Sequence, residues 1–168
     1  ELHRMRMDLE SIVADRTSAL RESQKKIKLT TDRLDALVKL GGMEDASEQK
    51  LAQFALEEAV RLTGSEGGYF HFYDQEKKDI TLTSWSNSVM PECSLVNRNH
   101  YSLEKAGIWA DCVRLGKPVI HNDYQGLADK KGYPDGHFQV KRHMSIPVTV
   151  DGKIIAITGV GNKKEAYD

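Results

Sequence analysis

Three histidines and one carboxylate in the second half of the chain are the residues best suited to metal chemistry. His121, Asp123, His137 and His143 supply imidazole and carboxylate groups, which are common zinc ligands. No two of these histidines have i, i+4 spacing or belong to a short metal-binding motif. We therefore predict no metal and no other cofactor, and we expect His121 and Asp123 to order the start of a loop.

The two cysteines, Cys93 and Cys112, are the candidate nucleophiles or reductants. They lie far apart in the sequence and match no metal or redox spacing. Cys112 falls on a predicted helix beside Ala110 and Val113, which favours a buried, unreactive thiol. Because no nucleophile and base can be paired from the sequence, we predict that the chain is not an enzyme.

The closing stretch reads HMSIPVTVDGKIIAITGVGNKKEAYD and predicts a β-hairpin that turns at Asp151–Gly152. Counting outward from the turn gives an apolar face, which is expected to pack on a core, and a smaller polar face. The polar face is expected to line a shallow cavity. The pairs expected on it are His143 with Val160, Ser145 with Thr158, Pro147 with Ala156, and Thr149 with Ile154.

An aromatic strand adds to this candidate pocket. In GGYFHFYDQ the alternation places Tyr69 and His71 on one face, expected to be the polar side of the hairpin. A few polar groups among aromatic walls can orient a ligand, whereas the same groups bonded to one another would leave an empty or water-filled cavity. Trp109 is a better candidate than Trp85 for stacking on a planar ligand, although each could fill the core. The candidate ligand-binding residues are Tyr69, His71, Trp85, Trp109, His121, Asp123, Tyr124, His137, His143, Ser145 and Thr158.

Residues 1–40 contain no proline or glycine and predict one helix of about 60 Å at 1.5 Å per residue. Apolar side chains recur every seven residues, at Val13, Leu20, Ile27 and Leu34. Two second rows of core positions are possible, and each puts polar residues in the core, which weakens a coiled coil and bears on its register. They are Thr17, Gln24, Thr31 and Val38, or Leu9, Arg16, Ser23, Thr30 and Leu37. We predict a parallel dimeric coiled coil, with a helix lying on its own domain as the alternative.

The remaining elements alternate between helices and strands. Helices are predicted over 44–63, closed by Gly64, and over 108–115, closed by Gly116. Strands are predicted over 67–75, 79–86 and 118–121, with mostly loop over 87–107 and a long polar loop over 122–141. This order predicts an α+β domain in which helices pack on one face of an antiparallel sheet. The domains are expected to be 1–41 and 42–168.

Composition excludes some classes of function. The net charge of −1 with 29% charged residues gives no basic surface for nucleic acid. The sequence has no run that is apolar and long enough to cross a bilayer, and no signal peptide. The chain begins with Glu1, so we expect a fragment that lies in the cytoplasm, and a membrane anchor elsewhere in the parent protein stays open.

Several segments resemble GAF domains of bacterial signalling proteins. The closing hairpin SIPVTVDGKIIAITGVGNK, the helix and strand GIWADCVRLGKPVIHNDY, and LTGSEGGYFHFYD together cover most of 43–168. The stretch LESIVADRTSALRESQ resembles the signalling helix between sensory modules of sensor histidine kinases. Asn162–Lys163 matches only the first part of the motif of cyclic-nucleotide-binding members, and neither cysteine precedes a histidine, as the cysteine of bilin-binding members does.

The resemblance implies a six-stranded antiparallel sheet with helices behind it and a small-molecule cavity on the opposite face. It also implies a sensory input domain of a two-component system, which relays its state through the dimeric helix to an output module outside this chain. A histidine kinase is the expected output, with a diguanylate cyclase as another. The alternatives are a module that dimerises and conducts a signal without a ligand, and a thiol enzyme like the methionine sulfoxide reductases of the family.

Overall fold

The first of two compact units is a single long helix. The computed structural model describes residues 1–89, 100–128 and 139–168, and the chain divides into Glu1–Gly42 and Met43–Asp168. Helix α1 runs over Leu2–Gly41, which confirms the predicted long helix. Its apolar stripe is open to solvent, since Val13, Leu20, Ile27 and Leu34 are 57–63% exposed.

The second unit begins with helix α2, Glu48–Thr63. Ser47 caps its start by accepting a hydrogen bond from the Lys50 N–H. At its end Gly64 adopts a left-handed conformation with φ of 67°, as the sequence predicts. Both helix boundaries therefore follow from residues next to them in the chain.

Six antiparallel strands form one sheet, which confirms the predicted α+β fold. The spatial order is β3-β2-β1-β6-β5-β4, so β1 and β6 are central. Strand β3 was not predicted, because three residues within a mixed segment carry no alternation that could be recognised. The strands are β1 Gly67–Asp74, β2 Asp79–Trp85, β3 His100–Ser102, β4 Val119–His121, β5 His143–Val150 and β6 Lys153–Gly161.

Helices pack on both faces of this sheet, whereas the sequence led us to expect them on one face. On one face, Leu56 and Val60 of α2 lie against Gly68, where an added Cβ would be 3.0 Å and 3.1 Å from them. On the other face lie a short 3-10 turn, Ile108–Ala110, and helix α3, Asp111–Leu115. The main buried cluster lies on this second face and includes Tyr69, Tyr73, Ile80, Ala110, Cys112, Val113 and Ile157.

The closing hairpin has the predicted turn but a different register. Asp151 and Gly152 have φ of 49° and 77°, and Thr149 pairs with Ile154 as expected. A β-bulge follows, in which Val148 pairs with Ala156 and Ile155 is left over.

The bulge makes three of the expected pairings wrong: His143 with Val160, Ser145 with Thr158, and Pro147 with Ala156. Ser145 pairs with Gly159, while Thr158 pairs with Ile146 and lies on the face covered by α2. The physical reason is that one extra residue in a strand inverts the facing of every residue beyond it. The apolar face expected for the hairpin also differs, because Ile157 lies on the α3 face of the sheet.

Some predicted features fall outside the described residues, among them Cys93 and His137. Within the described ranges, no helix is long and apolar enough to cross a membrane.

Candidate ligand-binding site

Tyr69 is the centre of the candidate site. It lies on the α3 face of β1, and its hydroxyl is 3.0 Å from the Trp109 carbonyl oxygen and 3.1 Å from His143 Nε2. Gly159 lies opposite Tyr69 on β6, and a Cβ added there would overlap the tyrosine ring. The ring therefore occupies space that only a glycine leaves open.

Aromatic rings surround this tyrosine. The His71 ring stacks on it at 5.0 Å between centroids, and Trp109 meets it edge-on at 5.7 Å. Trp85 lies 5.9 Å from Tyr69 and 5.2 Å from His71. Such contacts hold rings in fixed relative orientations, so the wall of the site is built before any ligand arrives.

Two histidines extend the site toward the β4 edge of the sheet. His121 on β4 pairs directly with His143 on β5, and their rings are parallel within 9° at 6.0 Å. Tyr124 presents its edge to both rings, at 6.2 Å and 5.6 Å. The strand pairing thus brings together side chains that are well separated in sequence.

Three polar atoms of this region have no hydrogen-bond partner among the described residues. They are His143 Nδ1, His121 Nε2 and Ser145 Oγ, each out of contact with solvent. The Ser145 hydroxyl lies near the Tyr69 hydroxyl and the Cys112 thiol, yet it makes no hydrogen bond of acceptable geometry. Buried polar atoms are normally paired, so this concentration marks the region as unusual.

Burial keeps His71, His143, Tyr69 and Cys112 uncharged at neutral pH. It lowers the pKa of His71 and of His143 to about 3, and nearby His121 adds to the effect on His143. Burial also raises the pKa of Tyr69 well above its usual value and raises that of the Cys112 thiol. The described groups thus offer neutral hydrogen bonding, and Cys112 is poorly suited to act as a thiolate.

Two asparagines anchor the segments that carry the histidine pair. Asn122, next to His121, accepts from the Tyr167 N–H at 2.8 Å and donates to its carbonyl at 3.0 Å. Asn162, with φ of 61°, accepts from the Lys141 N–H at 2.7 Å and donates to the Gln139 carbonyl at 2.8 Å. The Asn–Lys pair of the sequence therefore holds the backbone that leads into β5.

The structure brings most of the predicted site residues together, but not all. Asp123 is exposed, and its carboxylate accepts a hydrogen bond from the Gly126 N–H, so it belongs to a turn. Thr158 lies on the other face, where its hydroxyl donates to the Tyr69 carbonyl, and His137 lies outside the described residues. The residues that do assemble are Tyr69, His71, Trp85, Trp109, His121, Tyr124, His143 and Ser145.

Two members of the site were not predicted to belong to it. Cys112 is fully buried, as the sequence predicts. It lies near Ser145, on the face of the sheet that carries the candidate site, which was not predicted. Gly159 makes room for Tyr69, because a side chain at this position would overlap the tyrosine ring. In the described part of the chain, no three His, Cys, Asp or Glu side chains group as metal ligands would.

Comparison with known proteins identifies the family. The sequence profile described as "GAF domain" matches residues 45–168, most of the chain. The chain belongs to the GAF domain family. A curated relative, the methyl sulfide methyltransferase-associated sensor of Methanosarcina acetivorans, is 46% identical over 143 residues, which are 84% of this chain but only 14% of that protein. This GAF chain therefore spans about a seventh of the length of that relative.

Solved structures share the fold at low sequence identity. The GAF domain of a phosphoenolpyruvate-protein phosphotransferase from Coxiella burnetii aligns with a TM-score of 0.65 at 12% identity, covering 82% of each chain. A free methionine-R-sulfoxide reductase from Neisseria meningitidis aligns with a TM-score of 0.59 at 12% identity, covering 81% of this chain and 75% of that one. At such identity the likeness concerns the fold alone.

Proposed function

We propose that this GAF domain is a non-catalytic sensory module that binds a small molecule on the α3 face of its sheet. The observation that carries the proposal is the group of unpartnered buried atoms at His143, Ser145 and His121. Leaving such atoms unpaired costs about 1 to 3 kcal/mol each, so a bound molecule that pairs with them gains affinity there. The curated relative is named a sensor, which agrees with this role.

Native mass spectrometry of the freshly purified chain tests ligand binding. We expect a small molecule that survives gentle ionisation and is released on denaturation, or a molecule from a metabolite library that binds the apo protein. The library includes dimethyl sulfide, because a relative is named for its association with a methyl sulfide methyltransferase. An apo protein that binds nothing in the library would favour the alternative of a dimerisation and conduction module.

A matched variant localises that binding. His143→Phe removes the unpartnered Nδ1 but keeps a planar ring, whereas His100→Phe changes an exposed histidine on the edge strand β3. We expect the first variant to lose the ligand and the second to retain it. Equal retention by both would mean that the molecule binds elsewhere.

The second part of the proposal is that α1 pairs with α1 of another copy and relays the state of the domain. Its exposed stripe is what supports this, since large apolar side chains in water favour association. Ile27→Lys places a charge in the stripe, and Ser18→Lys places the same charge on the opposite side of the helix. Sedimentation equilibrium should give a monomer for the first variant and a dimer for the second and for the parent chain. A monomeric parent chain at high concentration would remove the relay.

The output is proposed to lie in the same longer protein, with a histidine kinase as the expected class. An enzymatic role of the domain itself has less support. Cys112 is buried with a raised pKa, and the reductase from Neisseria meningitidis shares the fold alone. Assay of autophosphorylation in the full-length protein, with and without Ile27→Lys, tests the output and its dependence on α1.

A further inference from the structure

The hydrogen bonds of Tyr69 determine which nitrogen of His143 carries the proton. The Tyr69 hydroxyl has one hydrogen and lies within bonding distance of the Trp109 carbonyl oxygen and of His143 Nε2. A carbonyl oxygen only accepts, so the tyrosine hydrogen goes to Trp109. The contact at 3.1 Å then requires His143 Nε2 to donate to the tyrosine oxygen.

His143 Nδ1 is consequently a bare acceptor. The imidazole is neutral at physiological pH because burial lowers its pKa to about 3, so only one ring nitrogen carries a hydrogen. With that hydrogen on Nε2, Nδ1 presents a lone pair. The atom is buried, and no donor among the described residues reaches it.

The side chains in contact with this acceptor's ring are aromatic. The rings that contact His143 are those of Tyr69, His121 and Tyr124. The neighbouring cation Arg142 has its guanidinium on the Lys163 carbonyl, and the nearby carboxylate of Asp123 is in a turn. An anion placed against His143 would lose its hydration among these rings, and a charge buried without a partner is strongly unfavourable.

We propose that His143 Nδ1 is the recognition point of the site and that it binds an uncharged molecule which donates a hydrogen bond from an O–H or N–H group. The inference rests on the proposed function of the same face and adds the chemical class of the ligand. The aromatic rings around the acceptor favour a ligand with a flat or slender apolar body. Ser145 Oγ, which can donate or accept, is available for a second polar atom.

Three probes of similar shape test the class of ligand. Phenol is neutral and donates a hydrogen bond, anisole is neutral and has no donor, and benzoate is an anion. Long-range proton–nitrogen correlation spectra of the 15N-labelled whole chain report the protonation and hydrogen bonding of each ring nitrogen, with His143 assigned by its loss in His143→Phe. His71 is an internal control, because its Nδ1 already lies 2.8 Å from the Phe70 carbonyl oxygen and 3.2 Å from the Thr83 nitrogen.

The expected result has two parts. His143 should show the neutral tautomer with hydrogen on Nε2, and phenol should shift Nδ1 while leaving His71 unchanged. Phenol should bind at least tenfold more tightly than anisole, and benzoate should not bind. His143→Phe should abolish the preference for phenol. If that variant does not fold, Ser145→Ala serves for the comparison of affinities: it should weaken phenol relative to the parent chain, while phenol still binds more tightly than anisole.

Other results overturn the inference. A hydrogen on Nδ1, anisole binding as tightly as phenol, stronger binding of benzoate, or no shift with any probe would each show that the site does not select an uncharged donor. A Nδ1 signal already displaced by bound water in the apo protein, and unchanged by phenol, would show an internal water site. Dimethyl sulfide has no donor, so its binding to the parent chain and its loss in His143→Phe would contradict this inference and leave the proposed sensory function intact.

Discussion

Acidification should destabilise this domain well before its carboxylates titrate. His71 and His143 are buried as neutral imidazoles, and burial lowers the pKa of each to about 3. In the unfolded chain both return to about 6.5. Between these values the unfolded state binds protons that the folded state does not, so the free energy of unfolding falls as the pH falls. The stability is fully present above about pH 7 and is lost progressively toward about pH 3.

The magnitude follows from the two pKa values. One histidine shifted from 6.5 to about 3 removes about 2 kcal/mol of unfolding free energy between pH 7 and pH 5, so two remove about 4 kcal/mol. Domains are stable by about 5 to 15 kcal/mol, so this is a large fraction of the total. Urea denaturation followed by tryptophan fluorescence at pH 7, 6 and 5 measures the loss.

Matched variants separate this effect from general acid instability. His71→Phe should roughly halve the loss between pH 7 and pH 5, whatever it does to stability at pH 7. His3→Gln, at an exposed position of α1, should leave the loss unchanged. The reasoning is refuted if the parent chain loses under about 1 kcal/mol over this range, or if His71→Phe and His143→Phe combined retain the full loss.

Three further predictions concern single residues. Gly159→Ala should lower the unfolding free energy by about 1 to 3 kcal/mol by displacing the Tyr69 ring, whereas Gly41→Ala, with open space around it, should not lower it; thermal denaturation compares them. Asn162→Gly and Asn162→Ala both lose the side-chain hydrogen bonds, but glycine adopts the positive φ without strain. The unfolding free energy of Asn162→Ala should therefore be lower than that of Asn162→Gly by about 1 kcal/mol. An equal stability would contradict the assigned backbone strain. Cys112 should resist iodoacetamide in the native protein and react after denaturation, as read by peptide mass, and rapid native alkylation would count against its burial.

Local signals made much of the fold predictable. Gly64 and Gly116 end their helices in the left-handed conformation, with φ of 67° and 63°. The Asp151–Gly152 turn lies where the sequence places it, because a two-residue turn depends only on its own residues. The alternation of GGYFHFYD likewise predicted that Tyr69 and His71 share a face, which the pairing of β1 with β6 confirms.

The site was less predictable because it depends on register between strands. The sequence around Ile155 does not indicate a bulge. The bulge nevertheless places Ser145, and not Thr158, on the same face as Tyr69. The depth of the Tyr69 ring depends on Gly159, which becomes its neighbour only once β1 and β6 pair. The unpartnered state of His143 Nδ1 depends on three elements together, and no spacing along the chain reports it.

The asparagine anchors give the stretch 162–167 a mechanical role. Asn122 joins Tyr167 to the residue after His121, and Asn162 joins the same stretch to the residues before His143. The stretch is thus held at both ends by side-chain hydrogen bonds. At each end, the bonded backbone is adjacent to one of the two stacked histidines. A change in the distance between the backbone next to His121 and the backbone next to His143 must deform the stretch 162–167 or break one of these hydrogen bonds. The residues that follow β6 therefore link the backbone after β4 to the backbone that leads into β5, independently of the hydrogen bonds between the strands themselves.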